Sequence, residues 1–360
     1  MRILISADPF LPVPPRLYGG IERVIDGLVQ GLRAAGDEVA LLAHAESTCA
    51  VSQRFAWREV QPQSPGQHLR CIVDFRRAVG EFRPDLVHSF SRLAYLLSRS
   101  PRGLPKLMSY QRAPSPRTVT WSSRLAGRSL QFTGCSEYIA GLGRCAGGNW
   151  SALPNFIDPE VMRFVPAVAP DAPLLFLSRV ESIKGADTAI AIARGSGRRL
   201  IIAGNAPEHG AEADWFQREV LPSIDGEQVR YVGAVDDTQK NALLGAAVAM
   251  LVPIRWDEPF GIVFAESLAC GTPVISCPRG ALPEIVETGR HGFLVQDVSE
   301  GIAAVARIGE IDRAQCRARA LSHFSAAAVV PRYRRLYQSV IAGTHGDGCS
   351  PDEAQRNPGC

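Results

Sequence analysis

Two glutamates eight positions apart, Glu258 and Glu266, lie in a stretch that reads as strand, turn, helix, strand. The apolar run 249–254 has the composition of a buried parallel strand. The turn Asp257-Glu258-Pro259-Phe260-Gly261 follows, and the pattern predicts a short helix over about 262–270. Gly271 stops that helix, Pro273 prevents its continuation, and 273–277 is the next strand. Backbone N–H groups at Phe260, Gly261 and Ile262 then stand at a helix start without intrahelical partners. Such donors favour an anion, above all a phosphate. Glu266, about one turn deeper, reaches hydroxyls attached to that phosphate. One site can therefore hold a phosphate and several sugar hydroxyls together.

Two cations belong to the same half. The run 174–178 reads as a buried strand with Arg179 at its carboxyl end, and Lys184-Gly185 opens the next helix. Ligands of open α/β sheets bind beyond the carboxyl ends of the strands. Arginine offers a planar fork and lysine a mobile point charge, and both suit a diphosphate. The strands 199–204 and 229–233 bring Gly204 and Gly233-Ala234-Val235 to the same edge.

The elements that must position these groups alternate strand and helix throughout. Residues 2–7 form a buried strand, and a proline-rich loop over 9–18 leads to Gly19-Gly20. A helix over 21–35 places Ile21, Val24, Ile25, Leu28 and Leu32 on one face, and 38–43 is the second strand. This is the start of a doubly wound sheet. Gly19-Gly20 lets a backbone approach a phosphate or a sugar ring, or simply makes the turn. His88 ends the third predicted strand, 85–90, where a lone histidine reads first as structural. The next strand, 106–110, runs into Gln111-Arg112. Residues 70–128 hold twelve basic side chains and three acids. That excess suits an anionic acceptor or an anionic membrane surface as well as a plain solvated basic face. Aromatics are too sparse there for nucleic acid.

The stretch 255–277, with its Pro-Phe-Gly and Ala-Cys-Gly-Thr-Pro-Val-Ile flanks, resembles the E-x7-E signature of retaining GT-B glycosyltransferases, in particular the large family four. Ser178-Arg179-x4-Lys184-Gly185 looks like that family's diphosphate clamp. The resemblance covers about 1–343, is strongest over 174–295 and is weak on the acceptor side. It implies an α/β fold of two Rossmann-like domains facing a cleft: 1–165 on the acceptor side and 171–325 binding the nucleotide sugar. A helix over 326–343 would cross back to the first domain. The implied catalytic set is Arg179, Lys184 and Glu258. Gly19, Gly20, Gly204, Gly233, Val235, Phe260, Gly261, Ile262 and Glu266 would bind the donor, with the loop at Gly233 holding the nucleobase through its backbone. His88, Gln111 and Arg112 are candidates for the acceptor or sugar side. Many relatives carry a histidine where this chain has Gln111, and glutamine cannot take a proton.

The implied reaction moves a sugar from a nucleoside-diphosphate sugar to an acceptor hydroxyl of a saccharide, lipid-linked saccharide or small molecule, with retention. No D-x-D occurs in the chain, so no metal bridge and no cofactor beyond the co-substrate is expected. A GT-B epimerase or hydrolase, or a catalytically silent nucleotide-sugar-binding relative, is the alternative.

A chain of 360 residues suits two α/β domains, and its 46% hydrophobic and 21% charged residues are ordinary for a globular protein. Nine cysteines, with no C-x-x-C pair, read as buried free thiols in a reducing cytosol. The apolar start is too short for a signal peptide, and no run approaches the roughly 20 residues that span a bilayer. A cytoplasmic protein is expected, with peripheral membrane contact left open. The polar tail 344–360 reads as disordered.

Overall fold

Most apolar strands are followed by a helix that returns the chain to the strand's starting edge, so neighbouring strands pair in parallel. The computed structural model describes residues 1–16, 19–98 and 103–343. Tyr18 of the proline-rich loop, Arg99 and Arg102 of the basic segment, and the tail 344–360 lie outside the described residues. The chain divides into two units, one of residues 1–155 with the C-terminal residues from Ala326, the other Phe156–Ser325.

In the first unit the chain runs β1 (Arg2–Ser6), α1 (Gly20–Ala34), β2 (Glu38–Ala43), β3 (Gln53–Ala56), α2 (Pro65–Phe82) and β4 (Leu86–Ser89). It continues through α3 (Leu93–Leu97), β5 (Lys106–Tyr110), α4 (Pro116–Ala126), β6 (Leu130–Gly134), α5 (Glu137–Ala146) and β7 (Trp150–Ala152). The sheet order is β3-β2-β1-β4-β5-β6-β7. Order reverses between β1 and β4, which makes the crevice at their carboxyl ends the place for a ligand. The strand read as third is thus the fourth. β3, with only Phe55 buried, is an edge strand whose apolar signal is too short to register. A capping box starts α2: the Ser64 hydroxyl accepts from the Gln67 N–H, and the Gln67 side chain accepts from the Ser64 N–H.

The second unit runs β8 (Leu174–Leu177), α6 (Ala186–Gly195), β9 (Leu200–Ala203), α7 (Gly210–Trp215), β10 (Val229–Gly233), α8 (Asp237–Ala246) and β11 (Ala249–Val252). Then come α9 (Ile262–Ala269), β12 (Val274–Ser276), α10 (Leu282–Ile285), β13 (Gly292–Leu294), α11 (Val298–Arg307) and α12 (Arg313–Phe324). Its order, β10-β9-β8-β11-β12-β13, reverses between β8 and β11. Two arginines of α12 bolt the entering segment to this unit. Arg317 donates to the carbonyls of Pro159, Met162 and Ala269. Arg313, 8% exposed, donates to the carbonyls of Val165, Ala247 and Gly245 and to the Thr272 hydroxyl at 2.8–3.1 Å. Residues 156–165, placed by the sequence in the first domain, therefore sit with the second unit.

The last helix, α13 (Ala326–Ile341), packs on α1 within the first unit. Arg334 pairs with the buried Asp37 at 2.7 Å, and Arg332 donates to the Ala152 carbonyl. Among the described residues six cysteines are free thiols, all but Cys277 buried.

Candidate active site

At the switch point of the second unit, the loops after β8 and β11 carry opposite charges that meet. Lys184 Nζ lies 2.7 Å from Glu258 Oε2, and both side chains are nearly buried, at 10% and 12% exposure. Trp256 completes the group. Its indole N–H donates to the same Glu258 oxygen at 3.0 Å, and its ring lies 4.4 Å under the Lys184 ammonium. A buried ion pair persists only when further hydrogen bonds support it, and the indole supplies one. The ammonium has three donors, so two remain for another acceptor.

Backbone contacts fix the surrounding loops. Arg255 donates its N–H to the Ile183 carbonyl, and its guanidinium reaches Asp187 and Thr188. The Gly204 N–H donates to the Gly233 carbonyl, and the Val180 N–H to Asn205. A Cβ on Gly204 would fall 1.8 Å from the Ser178 carbonyl oxygen, so only glycine lets the loops after β8 and β9 meet. Gly280 is as tight, since a Cβ there would lie 2.3 Å from the Glu258 carbonyl oxygen. The Ala281 N–H donates to that same carbonyl at 2.8 Å. The turn bearing Glu258 is thus seated on the loop after β12.

The remaining donor-side candidates are placed as follows. Arg179, half exposed, pairs with Glu181. Gly261 is the N-cap of α9, in the left-handed region at φ 81°, and no side chain caps that helix. The Phe260 ring is buried edge-on against Phe324, so this residue can offer a ligand its backbone only. Glu266, read from the sequence as a free acceptor, is taken at one oxygen by Lys240 at 2.6 Å. Burial pulls Lys240 down, but Glu266 and Asp237 outweigh it and hold the ammonium above its ordinary value. Ile262 and Val235 are half-buried. A separate cavity of about 830 Å³ opens near the amino ends of β8 and β9, between residues 161–173 and α8. Asp237 lines it, but none of the donor-side candidates does.

In the first unit, His88 is not available to a substrate. It is fully buried, with Nδ1 2.7 Å from the Tyr337 hydroxyl and Nε2 2.7 Å from the Ser109 hydroxyl. It therefore ties α13 to the sheet, and burial pushes its ring down to about 3. In the unfolded chain the ring titrates near 6.5, so the unfolded state binds the extra proton between those values. The stability it contributes is complete above about pH 6.5 and is lost as pH falls toward 3. Denaturant titrations of His88→Gln are expected to show a flatter acid-side slope than the parent. An unchanged slope would place its source elsewhere.

Gln111 accepts at its side-chain oxygen from Asn155 at 2.7 Å. Gly19 is buried against Pro15 and Glu22, and Gly20 begins α1. Sequence reading passed over the carboxylates nearby. Asp8 follows β1 at the switch point. Burial raises its carboxyl above the ordinary range despite Arg92, the Phe10 N–H and Arg112, and its Oδ1 is buried without a partner. Burial also raises Glu22, against its own backbone hydrogen bond and with help from the Asp8 charge. Only the isolated position of Asp8 after a strand could have signalled this.

Two Rossmann-type parallel sheets with this charged switch point define a GT-B glycosyltransferase. Residues 160–319 match the family described as "Glycosyl transferases group 1", and 18–161 match "Glycosyltransferase Family 4". The chain is 36% identical over 379 aligned positions to a glycogen synthase of Mycobacterium tuberculosis, covering 89% of each chain. It is 32% identical to D-inositol 3-phosphate glycosyltransferase 1 of Catenulispora acidiphila, over 48% of this chain and 45% of that one. Among solved structures, AviGT4, a glycosyltransferase of avilamycin A biosynthesis, has 25% identity and a TM-score of 0.70, over 95% of this chain and 98% of that one. Anabaena HepE in complex with UDP has 18% identity and a TM-score of 0.73, over 94% and 100%. The chain belongs to glycosyltransferase family 4.

Proposed function

We propose that the chain moves a sugar from a nucleoside-diphosphate sugar to an acceptor hydroxyl with retention at the anomeric carbon. The observation that carries this reading is the buried Lys184–Glu258–Trp256 group at the β8–β11 switch point. The hard step is departure of the nucleoside diphosphate, which loads charge onto its distal phosphate. Lys184 would keep one N–H on Glu258 and turn the others to that phosphate. Arg179 and the N–H groups at the start of α9 would add to it, each such donor being worth about 3–4 kcal/mol in the transition state. Glu258 would grip donor-sugar hydroxyls, and Glu266, steadied by Lys240, would accept from the ribose. The bond from the anomeric carbon to the phosphate oxygen breaks, the bond to the acceptor oxygen forms on the same face, and the acceptor proton passes to the leaving phosphate oxygen. That route needs no protein base, and so it tolerates Gln111. Acceptor recognition is assigned to the first unit, at Asp8, Gln111 and Arg112.

The HepE complexes with UDP and with UDP-glucose support a nucleotide sugar as donor. The names of the curated relatives support a saccharide or a phosphorylated polyol as acceptor. The cytoplasmic placement expected from the sequence goes with this reading.

The test has two arms. A thermal-shift panel of UDP, GDP, ADP and TDP should single out one base, because ligand at 100 times its Kd adds about 2.7 kcal/mol. Transfer from the matching nucleotide sugar is expected to persist in EDTA, with the product anomer that of the donor by NMR. Loss in EDTA with recovery in Mg²⁺ or Mn²⁺ would overturn the metal-independent route. Release of free nucleoside diphosphate regardless of acceptor would point to hydrolysis or epimerisation.

A further inference from the structure

Among the described residues, the basic excess of the first unit is not uniformly available. On α2, Arg70 pairs with Glu59 and Arg77 with Glu81, while Asp74 is taken by Arg58. These charges are neutralised where they stand, leaving Arg76 as the exposed arginine of that helix without an ion pair among the described residues. The arginines of α4 and of the turn after it differ. From residue 86 to residue 136 the chain contains no aspartate or glutamate. Arg117, Arg124 and Arg128 are exposed and have no ion pair or hydrogen-bond partner among the described residues.

The same helix exposes its two largest apolar side chains, Trp121 at 72% and Leu125 at 77%. Positions 117, 121, 124 and 125 fall in one stripe at helical spacing, and Arg128 stands in the turn that follows. Val119 and Ser122 are buried on the opposite side. Nothing in the unit's own packing calls for this stripe. Arg117 even occupies the first helical turn, where the helix dipole disfavours a cation and where no acid is present.

We propose that the outer face of α4 docks the chain on an anionic lipid surface. Tryptophan and leucine enter the headgroup–acyl boundary while guanidinium groups remain among lipid phosphates. Nucleic acid would use the arginines but give Leu125 nothing to bury in. A protein partner could also bury a tryptophan beside arginines, and binding to protein-free vesicles separates the two. The inference is independent of the transfer reaction, since no residue of the stripe belongs to the groups assigned to donor or acceptor.

The full chain should co-sediment with vesicles of phosphatidylcholine mixed with phosphatidylglycerol and not with phosphatidylcholine alone, and added salt should weaken binding. Each Arg→Gln change at 117, 124 or 128 should lower partitioning about fivefold, whereas Arg70→Gln should leave it unchanged. Trp121→Ala with Leu125→Ala should abolish sedimentation while the nucleoside-diphosphate thermal shift stays at the parent value, which separates this test from that of the sugar-transfer reading. Absence of binding to the anionic vesicles would overturn the proposal. So would binding untouched by these substitutions, or a stable dimer in ultracentrifugation that the double substitution dissociates.

Discussion

Replacing Lys184 with alanine is expected to lower turnover by about 10²–10³ at saturating nucleotide sugar. The lysine has two tasks. On the proposed mechanism it neutralises the departing phosphate, and in the structure it balances Glu258, to which it is bonded at 2.7 Å in a nearly buried setting. Removing one partner of such a pair leaves a buried charge behind, which costs about 3–5 kcal/mol. The variant therefore needs its melting curve measured beside its kinetics. Lys184→Ala with Glu258→Gln removes the stranded charge. If Lys184 acts on the phosphate, the double variant recovers melting temperature but turns over well below Glu258→Gln alone. Parent-like turnover in the single variant would sink the assignment. Recovery of both quantities in the double variant would reduce Lys184 to a packing role.

Arg313→Ala is expected to bring the largest loss of stability. Its guanidinium spends four hydrogen bonds on three backbone carbonyls and one hydroxyl, with no carboxylate beside it. Burial lowers its proton affinity, so the site holds the charge only through those acceptors. Truncation strands them in the interior, at about 1–3 kcal/mol for each that water cannot reach. A total near 4 kcal/mol is expected, or roughly 10 °C in the second unit's melting temperature. Arg313→Lys should recover little, since a point charge cannot span the fork. A shift below about 2 °C would mean that water or neighbouring donors replace the bonds.

The donor side was legible because its chemistry is local. Each of Arg179, Lys184, Glu258 and Gly261 lies within a few residues of a strand end or a helix start, so their placement could be read from the local pattern, while the roles proposed for them follow from the family resemblance. Their partners could not. Lys240 meets Glu266 from 26 positions away, and Tyr337 meets His88 from 249. Sheet order decides such meetings, and sequence spacing does not encode it. His88 was ambiguous for this reason: what makes it structural is a helix at the far end of the chain. Trp256 was in plain view, but its hold on Glu258 depends on how one turn folds. β3 escaped because an edge strand needs only one inward side chain.

The seat that Gly280 provides for the Glu258 carbonyl has an evolutionary corollary. A carboxylate located by main-chain fit is insulated from exchange of side chains around it. Selection could therefore redraw the walls around that carboxylate without moving it. The glycine would be the fixed hinge-pin, and drift would fall on the residues beside it.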